Sequence, residues 1–592
     1  MSAHPTNQQD KQSNSKDKQP NSKDKHSNSK DKQPSYTSGI SMTPLIGMTI
    51  GDKFDEIAAR YPSNDALIVR HQNLRYTYAE LKDAVDQAAR AFLAVGVKRG
   101  QRVGMWSPNC AQWTITQFAT AKIGAILVNI NPAYRLHELE YALNQSEAAF
   151  LVTADSFKSS NYTEMLYELA PELKNCTEGE LTSGTLPNLK GIINLSDEQL
   201  DGMWRWDDFV TRSSEVSAEQ LADAQAELQF DDPINIQYTS GTTGFPKGAA
   251  LSHHNILNNG FFVAESMNFT DQDRLVIPVP LYHCFGMVMG NLGCVTHGAT
   301  MIYPGEGFEP QGVLEAVAEE RATALYGVPT MFIAEMEHPD FDQYDVSSLR
   351  TGIMAGSICP AEVMKAVNSK LHMEEVQIAY GMTETSPVST QTAADDPFEK
   401  RVTTVGRTQP HLETKIVDPA TGGVVLRGEV GELCTRGYSV MLKYWNNPEA
   451  TAGSIDEAGW MHTEDLATMD EEGYIQIVGR IKDMVIRGGE NVYPKEIEEF
   501  LYTHPSVSDV QVTGVPDKKY GEELIAWVKR VPGSDEVNED DLRAFCKGQI
   551  THFKIPRYFK FVDEFPMTVT GKIQKFKMRE ISIKELGLED EK

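Results

Sequence analysis

A loop rich in glycine and hydroxyl residues, at positions 238–248, has the residue types best suited to holding a charged ligand. It follows a β-branched run that starts at Pro233 and predicts a strand. Glycines let backbone N–H groups turn toward a ligand, and the hydroxyls add further donors, here Thr239, Ser240, Thr242 and Thr243. The spacing of Gly241, Gly244 and Lys247 differs from that of a Walker A loop, which closes on Gly-Lys-Ser/Thr. The segment therefore predicts a phosphate-binding loop of another type, with a solvated turn as the alternative.

A second segment places a hydroxyl and a carboxylate side by side, at Thr383 and Glu384. A carboxylate is a hard oxygen donor of the kind that Mg²⁺ prefers when it also holds phosphate oxygens. Small residues at Gly356, Ser357 and Gly381 would let a planar base or an acyl group lie against the backbone. Taken alone, the Thr-Glu pair is explained equally well by a helix cap.

Alternating helical and extended patterns must position these segments. Apolar residues recur at helical spacing through residues 81–95, and residues 101–106 then predict a strand. A second cycle predicts a helix at 113–123 and a strand at 125–130. Such alternation predicts a parallel sheet with crossover helices. At 592 residues the chain is too long for one hydrophobic core, so we expect at least two domains.

Residues 275–305 contain no Asp, Glu, Lys or Arg and are numerous enough to cross a bilayer. Prolines and glycines interrupt the stretch too often for a spanning helix, so we expect a buried wall and no transmembrane segment. His283 and Gly286 lie within it. A lone histidine in such a stretch is most often a hydrogen-bonded core residue.

Residues 1–42 are low in complexity, with a seven-residue unit that begins at Lys11, Lys18 and Lys25. The units have no apolar residue for a coiled-coil position, and they cannot bury enough surface to offset the entropy of ordering. We therefore expect a disordered tail, which also has no apolar region typical of a secretory signal.

Five segments together resemble the adenylate-forming enzymes, the superfamily of acyl-CoA synthetases, luciferases and peptide-synthetase adenylation domains. They are the loop at 238–248, Tyr-Gly-Met-Thr-Glu-Thr at 380–385, Thr-Glu-Asp at 463–465, Gly-Arg-Ile-Lys-Asp at 479–483 and Thr-Gly-Lys at 570–572. Several blocks are similar to medium-chain fatty-acyl-CoA synthetases. One residue departs from the family's Thr-Gly-Asp element: if its glycine needs positive φ, Glu464 would strain the turn.

The resemblance implies a site for ATP in which Thr239 and Glu384 hold Mg²⁺ and Lys572 is the catalytic lysine, with Thr239 and Glu384 also in the catalytic set. Tyr380 would stack on adenine and Asp465 would accept the ribose hydroxyls. The implied nucleotide contacts are Thr239, Ser240, Gly241, Thr242, Thr243, Gly244, Lys247, Gly356, Ser357, Tyr380, Gly381, Met382, Thr383, Glu384, Asp465, Arg480 and Lys572. The implied contacts to substrate and coenzyme A are His283, Gly286, Lys482, Gly488 and Gly489.

The resemblance also implies an α/β fold with a large N-terminal AMP-binding domain, at 43–479, built from parallel-sheet α/β subdomains and a β-rich subdomain. A small, mobile C-terminal α+β domain would follow at 480–592, with its hinge at 480–483. The oligomeric state stays open, a homo-oligomer included.

Charge bears on the partners. A formal net charge of −29 argues against nucleic acid or an anionic membrane as a partner. ATP and coenzyme A are polyanions, so they require local positive charge, which we expect in residues 552–579, with a net charge of +5. The seven cysteines form no C-x-x-C pair, which indicates neither a zinc site nor a disulfide framework and favours reduced thiols in the cytoplasm.

The implied activity is ATP-dependent acyl-CoA synthesis through acyl-AMP, with release of AMP and pyrophosphate. A carboxylate with a pKa of about 4 to 5 is already ionised, so no general base is needed. The difficulty is the approach of an anion to a polyanion, which the loop, Glu384 and Lys572 would address. The uncharged wall favours a fatty acid. The alternatives are an acyl-AMP ligase that serves a carrier protein, an aryl-acid–CoA ligase and a non-catalytic adenylate-binding protein.

Overall fold

The computed structural model describes residues 33–239, 246–356, 359–488, 490–534, 536–567 and 573–589. The strands in these residues are β1 (Tyr36–Ser38), β2 (Asp65–Val69), β3 (Leu74–Thr77), β4 (Arg102–Trp106), β5 (Ile126–Asn129), β6 (Ala148–Thr153), β7 (Ser156–Phe157), β8 (Ser160–Asn161), β9 (Gly191–Asn194), β10 (Met203–Arg205), β11 (Pro233–Thr239), β12 (Lys247–Ser252), β13 (Arg274–Val276), β14 (Thr300–Tyr303), β15 (Ala324–Gly327), β16 (Thr351–Met354), β17 (Glu375–Gly381), β18 (Val388–Gln391), β19 (Arg407–Thr408), β20 (Leu412–Val417), β21 (Gly431–Gly437), β22 (Lys443–Tyr444), β23 (Met461–Met469), β24 (Ile475–Arg480), β25 (Val485–Arg487), β26 (Glu490–Val492), β27 (Val507–Asp517), β28 (Gly521–Arg530) and β29 (Tyr558–Phe561).

The α-helices are α1 (Ile50–Arg60), α2 (Tyr78–Ala94), α3 (Ala111–Ile123), α4 (Leu136–Ser146), α5 (Tyr162–Leu169), α6 (Trp206–Thr211), α7 (Ala218–Ala226), α8 (His253–Ser266), α9 (Gly293–His297), α10 (Pro310–Glu320), α11 (Pro329–Met336), α12 (Ala361–Lys370), α13 (Phe398–Thr403), α14 (Pro448–Ser454), α15 (Pro494–Leu501), α16 (Glu539–Cys546) and α17 (Lys575–Leu586). A π-helix spans Phe285–Leu292. Within the described part of the chain, no helix is both long and apolar enough to cross a membrane.

Two large sheets with parallel centres contain most of the strands. The eight-stranded sheet has the order β10-β9-β6-β4-β5-β11-β12-β22, and the nine-stranded sheet has the order β19-β18-β17-β16-β15-β13-β14-β2-β3. Helices α2, α3 and α8 contribute buried apolar faces to the large core that lies along these sheets. The predicted α/β fold with parallel sheets is confirmed.

The helix–strand cycles predicted from periodicity are present, and their ends have local causes. Helix α2 begins at a capping box in which the Thr77 hydroxyl accepts the N–H of Glu80 and the Glu80 carboxylate accepts the N–H of Thr77. Helix α3 ends at Gly124, whose φ of +65° lies in the left-handed region that glycine adopts without strain. Strands β4 and β5 follow these two helices and pair in parallel.

A smaller antiparallel sheet, in the order β1-β20-β21-β23-β24, forms the predicted β-rich part. Its edge strand corrects one prediction: Tyr36–Ser38 lies within the segment that we expected to be a disordered tail, yet it pairs with β20. The Tyr36 hydroxyl also donates to Glu413, at 2.5 Å. A three-residue strand has too few positions to show a period in sequence, so its partner strand decides its structure.

The C-terminal part is a separate α+β unit. Strands β27 and β28 pair along their length. Strands β25 and β29 each also pair with β28, and β26 pairs with β25. Buried residues of β27, β28, α15 and α16 form one apolar cluster, and α17 contributes Met578 to a second one.

Candidate active site

The predicted phosphate loop joins two adjacent antiparallel strands of the eight-stranded sheet. Thr239 ends β11, Lys247 begins β12, and the two residues face each other in the register. The Thr239 hydroxyl donates to the Lys247 carbonyl, at 3.4 Å. The structure thus defines both ends of the loop, whereas Ser240, Gly241, Thr242, Thr243 and Gly244 lie outside the described residues.

Glu384 lies in a short 3-10 turn, Thr383–Thr385, and is 5% exposed. The Tyr444 hydroxyl donates to its Oε1 at 2.7 Å, and the backbone N–H of Met441 donates to its carbonyl at 2.8 Å. The Lys247 ammonium lies 5.0 Å from the centre of the Tyr444 ring. Glu384, the carboxylate predicted to bind the metal, and Lys247, at the start of β12, therefore share Tyr444 as a neighbour.

Tyr444 was not predicted as a site residue, because no motif marks it. It reaches Glu384 only because β22 pairs with β12 at the edge of the sheet. Burial raises the pKa of its hydroxyl, and the nearby Glu384 carboxylate raises it further. Tyr444 therefore stays a neutral hydrogen-bond donor to Glu384.

The three residues predicted to hold adenine and ribose meet where the ends of β17 and β24 lie beside the middle of β23. Asp465 and Arg480 are register partners on β23 and β24, and the Arg480 Nε donates to the Asp465 Oδ1 at 3.1 Å. The Tyr380 hydroxyl, at the end of β17, donates to the Asp465 Oδ2 at 2.6 Å. Burial raises the pKa of the Asp465 carboxyl, and the Arg480 charge opposes that rise. One carboxylate thus binds a phenol and a guanidinium at the place expected for the ribose.

Glu464 has a φ of +59°, so the turn that we expected to require glycine does place this residue in the left-handed region. Its backbone N–H donates to the Glu432 Oε1 at 3.0 Å. Its carboxylate lies 2.6 Å from the ammonium of Lys482, which belongs to the 3-10 turn Ile481–Asp483. The side chain that replaces glycine is thus paired with the lysine predicted at the hinge.

Gly286 lies in the first turn of the π-helix and His283 two residues before it, within the apolar wall, most of which is buried, as predicted. The His283 carbonyl accepts the N–H of Gly286 at 3.0 Å. A Cβ on Gly286 would lie 2.5 Å from the Pro280 carbonyl oxygen, so only glycine fits there. π-Helices occur frequently at functional sites.

Buried amides connect this wall to the strand that leads into the phosphate loop. The Gln237 amide of β11 donates to the Met287 sulfur at 3.2 Å, and its oxygen accepts from the Cys284 thiol at 3.0 Å. The Asn129 amide donates to the Tyr282 carbonyl at 2.9 Å. The wall and the base of the loop are therefore joined by hydrogen bonds. In the sequence, polar residues within an apolar strand are the sign of such buried hydrogen bonds.

The remaining predicted residues are distributed as follows. Gly356 and Gly488 have φ values of +88° and +63°, which favour glycine. Met382 donates its N–H to the Pro387 carbonyl at 2.9 Å, and a Cβ on Gly381 would lie 1.8 Å from that carbonyl oxygen. Ser357, Gly489 and Lys572 lie outside the described residues.

The predicted positive patch at 552–579 is wrong for the described part of that segment. Five of its seven cations pair with carboxylates from outside it: Lys554 with Glu496, Arg557 with Asp517, Lys560 with Glu585, Lys575 with Glu498, and Arg579 with Glu522. A charge count along the sequence missed these partners because other elements supply them. The described residues of this segment therefore present little uncompensated positive charge.

The chain matches the AMP-binding enzyme family over residues 54–445, and the C-terminal domain of AMP-binding enzymes over residues 496–572. It is 52% identical to YngI of Bacillus subtilis (strain 168), named as an acyl-CoA synthetase, over 92% of this chain and 99% of that protein. It is 45% identical to the mitochondrial medium-chain acyl-CoA ligase ACSF2 of Danio rerio, over 94% of this chain and 91% of that protein. The ATP-bound structure of MatB from Rhodopseudomonas palustris has a TM-score of 0.77 at 29% identity, over 91% of this chain and 100% of that one.

The chain belongs to the AMP-binding enzyme family, in its acyl-CoA synthetase class. The predicted family, fold class and AMP-forming acid–thiol ligase activity are thereby confirmed. ATP and coenzyme A are its co-substrates.

Proposed function

We propose that this acyl-CoA synthetase acts on a medium-chain fatty acid. The observation that carries the proposal is the uncharged, buried wall at 275–305, which hydrogen bonds connect to the base of the phosphate loop through Gln237. An apolar acyl chain needs such a wall, whereas an amino acid would need a charged partner for its ammonium. The name of the relative ACSF2 as a medium-chain acyl-CoA ligase agrees with it.

Mg²⁺ would be held by Glu384 and the Thr239 hydroxyl. The donor set fits, because a carboxylate and a hydroxyl at the end of a phosphate loop are the oxygen donors that Mg²⁺ takes beside phosphate. Tyr444 orients the carboxylate by its hydrogen bond to Oε1. Bound there, the ion would neutralise charge on the phosphates as the acyl carboxylate approaches.

The nucleotide would lie between the loop and the strand ends at Tyr380, Asp465 and Arg480. ATP binding requires Asp465 to exchange its bond from Tyr380 for bonds from the ribose hydroxyls, which frees the phenol ring to lie against adenine. Arg480 would then neutralise Asp465 or a phosphate. Lys247 and the loop amides would bind the departing pyrophosphate.

The two half-reactions need different groups beside the acyl carbonyl. In the first, the carboxylate oxygen bonds to the α-phosphorus and the bond to pyrophosphate breaks, with the Lys572 ammonium stabilising the charge. In the second, the thiol sulfur of coenzyme A bonds to the acyl carbon and AMP leaves. We place the exchange between these two arrangements at the turn 480–483, by rotation of the C-terminal unit.

A panel of acids tests this function. Purified protein is mixed with ATP, Mg²⁺ and octanoate, palmitate, acetate or benzoate, with and without coenzyme A, and pyrophosphate and thioester are measured separately. We expect the fastest formation of both products with octanoate, and formation of both about 10²-fold slower in the Glu384→Gln variant. Preference for benzoate would indicate an aryl-acid ligase, pyrophosphate without thioester would indicate an acyl-AMP ligase, and no pyrophosphate from any acid would overturn the proposal.

We further propose that the protein acts in the cytoplasm. The seven cysteines all lie in the described residues and form no disulfide, which suits a reducing compartment.

A further inference from the structure

Three metal-ligating side chains meet on the small antiparallel sheet. Glu432 and Cys434 belong to β21, and His462 belongs to β23, directly opposite Cys434 in the register. One ligand atom from each residue lies within 4.8 Å of the other two. No other group of this kind occurs in the described ranges of the chain.

Two distances from the His462 nitrogen are close to those of a tetrahedral centre. The His462 Nδ1 lies 2.9 Å from the Glu432 Oε2 and 3.5 Å from the Cys434 sulfur. Zinc bonds of about 2.0 Å to nitrogen or oxygen and about 2.3 Å to sulfur give edges of about 3.3–3.5 Å in a tetrahedron. The nitrogen–oxygen distance would therefore need to lengthen by a few tenths of an ångström, the nitrogen–sulfur distance already matches, and the oxygen and sulfur lie within 4.8 Å of each other.

A second set of contacts already orients two of the three ligands. The His462 Nε2 faces the Asp456 Oδ2 at 3.7 Å, and the Glu432 Oε1 accepts the N–H of Glu464 at 3.0 Å. Metal-binding histidines typically direct their other ring nitrogen at a carboxylate, and ligating carboxylates are themselves hydrogen-bonded. Asp456 is held in turn by the N–H groups of Ala458 and Trp460, both at 2.9 Å from its Oδ1.

Burial and charge favour a soft divalent cation. Cys434 is fully buried and Glu432 nearly so, whereas 32% of the His462 side chain is exposed and would give the ion a path from solvent. With the thiol ionised, the negative groups are Cys434, Glu432 and Asp456, and Lys415 on β20 is the cation beside them. A divalent ion would leave this group close to neutral.

We propose that Glu432, Cys434 and His462 form a Zn²⁺ site with a fourth position open to water. Binding would release the thiol proton of Cys434 to solvent, and His462 would bind through Nδ1 as a neutral imidazole with its one ring proton on Nε2, facing Asp456. A sulfur and an imidazole select Zn²⁺ over Mg²⁺, which prefers oxygen. Sequence spacing could not reveal the site, because its ligands come from two strands that only the sheet brings together.

The site would act next to the ribose-binding carboxylate. Glu432 holds the N–H of Glu464, and Asp465 is the next residue along β23. A metal that fixes Glu432 would therefore stiffen the left-handed turn before Asp465. This inference does not depend on which acid the enzyme activates.

Metal binding to the full chain provides the test. Chelator-treated protein is titrated with Co²⁺ as a spectroscopic probe and with Zn²⁺ in competition with a chromophoric chelator, in the presence of excess Mg²⁺. We expect one metal per chain, a thiolate-to-cobalt charge-transfer band, and a higher unfolding temperature with Zn²⁺. His462→Asn and Cys434→Ser should abolish the band, and Asp456→Asn should weaken Zn²⁺ binding about 10- to 100-fold.

Cys176→Ser is the matched control, since Cys176 is a thiol in another core of the protein, and it should keep the band. Because His462 is partly exposed, His462→Asn should fold even if Cys434→Ser does not. Circular dichroism checks the folding of each variant. No bound metal in the native chain, a band that survives in His462→Asn, or displacement by Mg²⁺ would each overturn the site and leave a hydrogen-bonded Glu–His–Cys cluster.

Discussion

Glu384 and Asp465 are both carboxylates of the proposed nucleotide site, and each accepts a tyrosine hydroxyl, but their other partners differ in exposure. Glu384 is buried in a turn, and its carbonyl and its side chain both accept hydrogen bonds from the segment around β22. Asp465 lies in the middle of β23 and is only 13% exposed, but its partner Arg480 has 62% of its side chain exposed. The neighbouring Glu464–Lys482 pair is exposed on both sides, at 56% for Glu464 and 46% for Lys482.

This difference in exposure suggests different roles for the two sides of the site. A buried carboxylate with a fixed donor is already oriented before the ligand binds, which is what electrostatic stabilisation of a phosphate requires. Exposed ion pairs are screened by water and contribute little stability, so they can exchange at low cost. We infer that the Glu384 side is preformed and that the Asp465 side, which leads into the C-terminal unit, rearranges.

The strongest test of this contrast removes the lysine of the rearranging side. Lys572→Ala should lower the rate of acyl-AMP formation by about 10³-fold, because it deletes a full charge at the reacting phosphate. Thioester formation from supplied acyl-AMP should be nearly unchanged, since the proposed rotation would already have withdrawn the lysine. Both half-reactions are measured in rapid-quench experiments, and Lys577→Ala, on the same basic segment, is the matched control. An equal loss in both half-reactions would refute the division of labour.

Removing the charge of the preformed side should cost somewhat less. Glu384→Gln keeps the size of the side chain but weakens its hold on Mg²⁺, and we expect acyl-AMP formation to fall by about 10²-fold. Tyr444→Phe leaves the carboxylate but removes its donor, so a smaller loss is expected, with part of it recovered at high Mg²⁺. If Tyr444→Phe cost as much as Glu384→Gln, the tyrosine would itself contact the nucleotide.

The sequence predicted those parts of the site whose residues follow one another along the chain. Tyr380, Glu384, Asp465 and Arg480 each stand in a short sequence motif, and the structure brings Tyr380, Asp465 and Arg480 together. Tyr444 was missed because it reaches Glu384 through pairing at the edge of the sheet. Non-local pairing has no period or spacing in the sequence.

The local charge of residues 552–579 was predicted less well than the positions of the motif residues, again because the deciding contacts are non-local. Residues 552–579 count as strongly basic in sequence, yet carboxylates such as Glu498, which is 2% exposed, compensate them in the fold. Strand β1 was missed because three polar or aromatic residues show no pattern until β20 lies beside them. Glu464 was predicted better, since the backbone requirement of its turn follows from one residue's φ.

The ribose side should respond to charge by an intermediate amount. Asp465→Asn keeps the shape but loses the charge that binds Arg480 and would bind the ribose hydroxyls, so the KM for ATP should rise at least about tenfold. Tyr380→Phe removes only one hydroxyl from the same cluster and serves as the matched control, with a smaller rise. Steady-state kinetics at saturating acid and coenzyme A measure both effects. An unchanged KM in Asp465→Asn would exclude the carboxylate from ribose binding.

The smallest effect is expected at the exposed pair of Glu464 and Lys482. Glu464→Gln keeps a residue in the left-handed region and removes only the charge, so it isolates the ion pair from the strain. Because exposed pairs contribute about 0.2–1 kcal/mol, the variant should change the ratio of the two half-reaction rates by at most about fivefold. Lys482→Met should give the same change, the double variant no more than either, and high salt should abolish the difference from the native protein. A larger change that salt does not affect would place Glu464 in contact with the reacting groups. The inference that the Asp465 side rearranges by exchanging exposed ion pairs would then be wrong.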